Sequence, residues 1–391
     1  MPVMPDLLLS LTSDLASASI GEAAAWGGWL TLSYSIMQFL ISPTLGNLSD
    51  AYGRRPVLLI SLFVMGIDYL IMALTPSLAL LFVARMMAGA ASATYSTANA
   101  YIADISSPEK RAQNFGLTGA AFGVGFVLGP AVGGLVGEFG PRMPFYAAAV
   151  LTFANMVFGF FALPESLRPE KRRAFKFARA NSLGVAMQMM KYPAVSWMLV
   201  AIFIYNIAHY VYPVVWAYFA KIQFDWTPFD IGLSLACVGV GFAVVQGFLI
   251  KYILAWLGPT KTAVVGLCID VTALVAISFA TQGWMVYALI PLTSLSALVA
   301  PAMQGLMSNR IPDDAQGELQ GAISALSSLA FMITPVLMAQ LFFFFTADTS
   351  GLYFPGAPFL AAALFSAIAI FPLLRGSRPE NSDLQSDSRM P

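Results

Sequence analysis

Eleven apolar stretches, each about 17–25 residues long, set the terms on which this chain can fold. They fall at roughly 24–45, 57–75, 78–102, 115–139, 144–163, 196–217, 230–250, 262–280, 284–306, 322–346 and 356–374. At 1.5 Å per residue, about twenty residues of helix match the roughly 30 Å hydrocarbon core of a bilayer. Lipid offers no partner to a backbone N–H or C=O, so segments that cross it are expected to be helices. Only 10% of the residues are charged and 58% are hydrophobic, whereas a soluble domain carries about 25% charged residues. The expected class is an all-α integral membrane protein with the bilayer as its solvent. The net charge is zero, which gives no sign of a nucleic-acid partner. Cys237 and Cys268 both lie in apolar runs and read as core fillers. His209 is the only histidine, so a histidine-built metal centre or catalytic triad is ruled out, and no metal site is expected.

Basic residues set the expected orientation. If the 46–56 segment faces the cytoplasm, 17 of the 20 lysines and arginines fall on its side. Arg142 and Lys221 lie opposite, and Arg85 falls inside a span. The tail GSRPENSDLQSDSRMP is then cytoplasmic and expected to be disordered.

An internal repeat gives the expected architecture. Gly53 and Gly258 are 205 positions apart, as are Gly116 and Gly321, and Pro130 and Pro335. PFYAAA at 144–149 returns as PFLAAA at 358–363. Two parallel six-helix halves follow: residues 1–163 and 195–375, joined by a basic cytoplasmic linker at 164–194, with a tail at 376–391. The first half has only five full spans plus the stub Met1–Leu11. The stub is expected to be the end of a first helix truncated at its N-terminus, through either a start codon placed too far downstream or a shortened protein.

The segment GNLSDAYGRRP, residues 46–56, joins the second and third helices of a twelve-helix pattern. Its glycines permit a tight turn and close approach of helix ends. Asp50 suits a helix N-terminus or a basic side chain, and Arg54 and Arg55 suit carboxylates at neighbouring helix ends. Such ion pairs, made in one state and broken in another, would form a gate latch. Asp104, ending its helix level with the two arginines, is the expected partner. The equivalent KYILAWLGPTK (251–261) keeps the glycine and lacks the aspartate, so the latch is expected in one half only.

Charges inside the spans are functional candidates, because each costs several kcal/mol without a partner. Asp68 lies eight residues before the turn near Pro76, and Arg85 nine after it. Both then sit about 12–14 Å below that turn, where they pair or share one polar pocket. The pair is either a proton-coupling element or a static structural bridge. Asp270 has no basic partner in its own span and lies about 12 Å from the basic end. It suits proton binding, or else it lines a wet cavity without coupling. The amides of Gln38, Asn206 and Gln246 can hydrogen-bond a substrate or bridge helices. His209 reads as a packed, neutral side chain.

GNLSDAYGRRP resembles motif A of the major facilitator superfamily, matching at Gly46, Leu48, Asp50, Gly53, Arg54 and Arg55. GLTGAAFGVGFVLGPAVGGLVG (116–137), centred on Gly129, Pro130, Gly133 and Gly134, resembles motif C of the drug–proton antiporters. Physically, small residues let helices approach closely, and the Gly-Pro step loosens the helix. PVLLISLFVMGIDYLIMAL (56–74), ARMMAGAASATYSTANAYIAD (84–104) and PAMQGLMS (301–308) are similar to the tetracycline–proton antiporters. The resemblance covers nearly the whole chain. It implies two six-helix bundles, alternating access, and export of a magnesium-chelated tetracycline in exchange for protons from a bacterial inner membrane. No resident cofactor is implied, and a monomer suffices. It carries over Ser49, Asp50, Arg54, Gln38, Asp68, Arg85, Asp104, Gln246 and Asp270. Two departures stand out. The family's first-helix aspartate has no counterpart in this sequence, and a histidine common in its eighth helix is Phe242 here. Export of other drugs or metabolites, and a non-transporting membrane protein or inactive remnant, are the competing readings. An enzyme is disfavoured, since no nucleophile–base pair, metal cluster or phosphate loop is visible.

Overall fold

The computed structural model describes residues 2–12, 19–92, 94–107, 111–167, 169, 172, 191–312, 315–347 and 352–378. Among them there is no strand. The first half holds α1 (Met4–Thr12), α2 (Ile20–Tyr52), α3 (Arg54–Leu74), α4 (Leu78–Ala90), α5 (Thr94–Ile105), α6 (Arg111–Gly137) and α7 (Met143–Ala162). The second half holds α8 (Pro193–His209), α9 (Val211–Phe224), α10 (Pro228–Val244), α11 (Ile250–Ser278), α12 (Gly283–Leu295), α13 (Val299–Ser308), α14 (Gln316–Thr346) and α15 (Ala357–Ser377). Most of the expected linker and tail lies outside the described residues. Where the tail was expected to begin, α15 continues to Ser377.

Helix starts follow ordinary capping chemistry. The Ser19 hydroxyl accepts from the Glu22 N–H at 3.1 Å and opens α2. Thr227 and Asp230 form a reciprocal capping box at the start of α10. Proline occupies the first turn of α7, α8, α10 and α15, where its missing N–H has no helical partner to lose.

Several spans expected as single helices are broken. The 78–102 span divides into α4 and α5 after Ala90, and the 196–217 span divides at Tyr210 between α8 and α9. The 284–306 span carries a 3₁₀ turn, Ser296–Leu298. A π turn, Val245–Leu249, ends α10, and α11 bends at Gly258. The bend at Gly258 falls between the expected spans 230–250 and 262–280, whereas the other breaks lie inside apolar runs and do not show in an apolar count. The stub α1 is held by packing, with Val3, Leu7 and Leu8 almost fully buried.

The two halves close over one another along two seams, α2 against α14 and α6 against α10. One buried cluster joins them at the end remote from Gly53, combining Leu7, Leu8, Leu30, Met72 and Phe145 with Val215, Phe219, Phe342 and Phe359. At the end carrying Gly53, here the basic end, the buried cluster around Met198, Leu267, Met303 and Leu319 draws on the second half alone. Among the described residues, the buried seal between the halves therefore lies at the far end.

Candidate functional site

At the basic end, residues 46–52 are not loop but the last turns of α2. The turn is Gly53 alone, at φ 111° and ψ 156°. That region of backbone space is essentially closed to residues bearing a Cβ. The turn role expected of both glycines belongs to Gly53, since a Cβ on Gly46 would meet nothing within 4 Å. Gly258 bends α11 in the same way, at φ 73° and ψ 164°.

Arg54 organises this corner. Its guanidinium pairs with Asp50 at 2.5 Å, reaches Asp104 Oδ2 from Nε at 3.2 Å, and donates to the buried Ser49 hydroxyl at 2.7 Å. Ser166 donates to the same Asp104 oxygen at 3.1 Å. Arg55, expected to seek a carboxylate, instead donates to the Phe160 carbonyl at the end of α7, at 2.5 Å. Glu165 was missed by the sequence reading. Its carboxylate sits on the start of α3, accepting from the N–H of Arg54 at 2.9 Å and of Arg55 at 3.2 Å. This is the favourable place for an anion on a helix. The only sequence signal was a carboxylate in a short polar stretch after a span. All these contacts lie within the first half and the first residues of the linker, Glu165 and Ser166.

Deeper in the first half, Asp68 and Arg85 meet as a two-pronged ion pair. Arg85 Nε donates to Oδ1 at 3.1 Å, and Nη2 contacts Oδ2. Asp68 is 2% exposed. The guanidinium also lies over the Tyr34 ring, 5.7 Å from its centre. Gln38, four residues after Tyr34 on α2, shares that helix face.

The second half holds a separate polar cluster around Asp270 on α11, which is 0% exposed. Ser366 on α15 donates to Asp270 Oδ2 at 2.6 Å. The Tyr205 hydroxyl donates to the Ser296 carbonyl at 3.4 Å and lies 3.5 Å from His209 Nδ1. His209 is packed between the rings of Tyr205 and Phe242, with centroids 5.4 and 6.0 Å away. Asn206 donates to Ser327 at 2.9 Å, so its amide bridges α8 and α14. Gln246 stands exposed in the π turn. Such turns recur at functional positions in helices.

The glycine-rich face of α6 divides in two. A Cβ on Gly134 would lie 3.2 Å from the Gly232 Cα and closer still to the Pro228 carbonyl, and the Pro130 carbonyl abuts Gly232. Gly129 and Gly133 meet nothing within 4 Å, so the close-packing role expected of all four motif residues falls to Pro130 and Gly134. Beyond them, Glu138 accepts from the Phe229 N–H at 3.0 Å, and Lys221 pairs with Asp6, both across the seam.

Two repeat-related helical halves, sealed at one end around buried charges, form the fold of a membrane transporter. Residues 1–335 match the sequence family described as Major Facilitator Superfamily, and the chain belongs to it. It is thus a multi-pass membrane transporter rather than an enzyme. The chain is 38% identical over 385 residues to the tetracycline resistance protein, class C, of Escherichia coli, covering 96% of this chain and 91% of that protein. It is 33% identical over 382 residues to the class G protein of Vibrio anguillarum, covering 96% and 92%. Among solved structures, the nucleoside transporter NupG superposes with a TM-score of 0.73 at 12% identity, covering 97% of this chain and 98% of that one. That last likeness concerns the fold alone.

Proposed function

We propose that this chain exports tetracycline, carried as its magnesium chelate, in exchange for protons by alternating access. Magnesium enters as part of the cargo. The basic end and the C-terminus face the cytoplasm of a bacterial cell, across the inner membrane, as the distribution of lysine and arginine suggests. One chain is sufficient.

The observation that carries this reading is the Asp68–Arg85 pair, buried in mid-span in a chain so similar to tetracycline resistance proteins. A paired charge inside a membrane is favourable only while both partners stay charged, and removing either charge leaves the other unpaired. A proton delivered to Asp68 would cancel the carboxylate that holds Arg85 and free the guanidinium. Substrate and proton can thereby compete for one site, which is the requirement for exchange. Asp270 offers a second carboxylate in the other half. Arg54, with Asp50 and Asp104, forms the gate element at the cytoplasmic end, and its pairs can be redistributed when the halves rock. A closed far end and a latch contained in one half suit the state that receives cargo from the cytoplasm.

The test is uptake of magnesium-tetracycline by everted membrane vesicles energised with a proton gradient. Gradient-dependent uptake, lost in Asp68→Asn, is expected. Uptake indifferent to the gradient or to Asp68 would overturn the assignment.

A further inference from the structure

Most serines and threonines in these helices turn back on their own helix. Ser35, Thr272, Ser278 and Thr293 each donate to a carbonyl three or four residues earlier, the usual way to satisfy a hydroxyl away from water. Ser366 does otherwise. Its hydroxyl leaves α15 and donates to Asp270 Oδ2 on α11, at 2.6 Å, with both residues 0% exposed.

The other oxygen of the same carboxylate is different. Asp270 Oδ1 is buried and has no hydrogen-bond partner among the described residues. Ser296 stands beside the carboxylate, but its hydroxyl donates to the Thr293 carbonyl at 2.7 Å. The titratable groups facing Asp270 are the phenols of Tyr205 on α8 and Tyr212 on α9. No salt bridge reaches it among the described residues. A buried acceptor with no donor is expensive to maintain. An incoming proton would relieve it without displacing Ser366.

We propose that Ser366 is the positioning residue of Asp270: it occupies Oδ2 and so reserves Oδ1 as the atom that takes the transported proton. The inference rests on the proton-exchange reading above. The balance is simple. One proton carried as hydronium in whichever cavity is open passes to Oδ1: a hydronium O–H bond breaks as the Oδ1–H bond forms, neutral water is left, and the carboxylate becomes a neutral carboxylic acid. Oδ2 then remains as the carbonyl oxygen, and the Ser366 bond changes from charge-assisted to neutral. The contact between α11 and α15, one of the most extensive in the second half, thereby loosens on proton loading and tightens on release. The last helix of the bundle thus senses the protonation state of a residue 96 positions earlier.

Two measurements on the full chain in proteoliposomes test this. The first is the pH dependence of proton-driven tetracycline uptake for the wild type, Ser366→Ala, Ser366→Thr and Asp270→Asn. The second is the infrared carbonyl band of protonated Asp270, identified by its loss in Asp270→Asn. The expected result is a displaced pH profile in Ser366→Ala with protein abundance unchanged, restored by Ser366→Thr. The carbonyl band should move to higher wavenumber in Ser366→Ala, as for an acid whose C=O has lost its donor. If Asp270→Asn abolishes coupling while Ser366→Ala matches the wild type in both measurements, the positioning role is wrong and proton exchange stands. If Asp270→Asn transports with normal coupling, the role of Asp270 in exchange fails, and this inference fails with it.

Discussion

Pro130 presents its backbone carbonyl to Gly232 across the seam between the halves, and its repeat-related counterpart Pro335 does the same to Gly28. The two prolines are 205 residues apart and the two glycines 204. The contacts are therefore the same contact made twice, once on each seam, by α6 with α10 and by α14 with α2. In each case a Cβ on the glycine would collide with backbone, which has no rotamer in which to yield.

These glycines should accordingly be less replaceable than their neighbours. Gly232→Ala and Gly28→Ala are expected to prop open the far end, raising the labelling of far-end cysteine probes by membrane-impermeant reagent. Gly133→Ala, which meets nothing within 4 Å, should leave labelling unchanged and raise stability slightly, by about 0.5–1 kcal/mol, through helix propensity. Equal behaviour of Gly133→Ala and Gly232→Ala would contradict the assignment.

Gly53 and Gly258 allow a second comparison. Both hold a backbone conformation that costs a residue bearing a Cβ on the order of 1–3 kcal/mol. At Gly53 alone the added Cβ would also strike the Glu165 carboxylate, 2.7 Å from its Cδ, and dislodge the cap on α3. Thermal unfolding in detergent should show a larger loss for Gly53→Ala than for Gly258→Ala. Combining Gly53→Ala with Glu165→Ala should add less than the sum of the two, because the cap is lost only once.

The Asp68–Arg85 pair lends itself to a double-mutant cycle. Breaking a buried pair from one side leaves an uncompensated charge and costs roughly 3–5 kcal/mol. Asp68→Asn and Arg85→Gln should each destabilise strongly, and the double variant should recover much of that loss. Arg85→Lys should not substitute, since a lysine cannot reproduce the two parallel contacts. Additive losses across the cycle would mean the pair is not coupled as its geometry indicates.

At the far end, Asp6 and Lys221 join α1 to α9 with about a quarter of each side chain exposed. A pair that accessible contributes no more than about 1 kcal/mol, enough to bias a conformational equilibrium without holding it fixed. Lys221→Glu should favour opening of that end, read as slower uptake at low substrate. The exchanged variant Asp6→Lys with Lys221→Asp should restore it. Failure of the exchange to rescue would remove the pair from the closing mechanism.

How much of this was legible beforehand follows from which physical rule set each feature. Hydropathy and length set the spans, because lipid tolerates little else. Helical rise alone put Asp68 and Arg85 at matching depth, since two antiparallel helices joined by a short turn leave little freedom in register. Gly53 could be read from its neighbours because a glycine between two helices is most simply explained by a turn. Rotation about a helix axis and the choice of neighbour are another matter. They depend on side-chain packing between segments far apart in the chain. Gly133 and Gly134 look alike in the sequence, yet only Gly134 faces α10. Asn206 finds Ser327 at a separation of 121 residues, and Asp270 finds Ser366 at 96. Glu165 became the cap of α3 only once α7 had delivered it there. The sequence by itself determined the solvent, the multi-pass character and the matched level of Asp68 and Arg85, all one-dimensional consequences of helix geometry in a slab of lipid. Tertiary structure alone decided which faces meet, which end is closed and which partner each buried polar group finds, because those depend on how fifteen helices among the described residues pack in three dimensions.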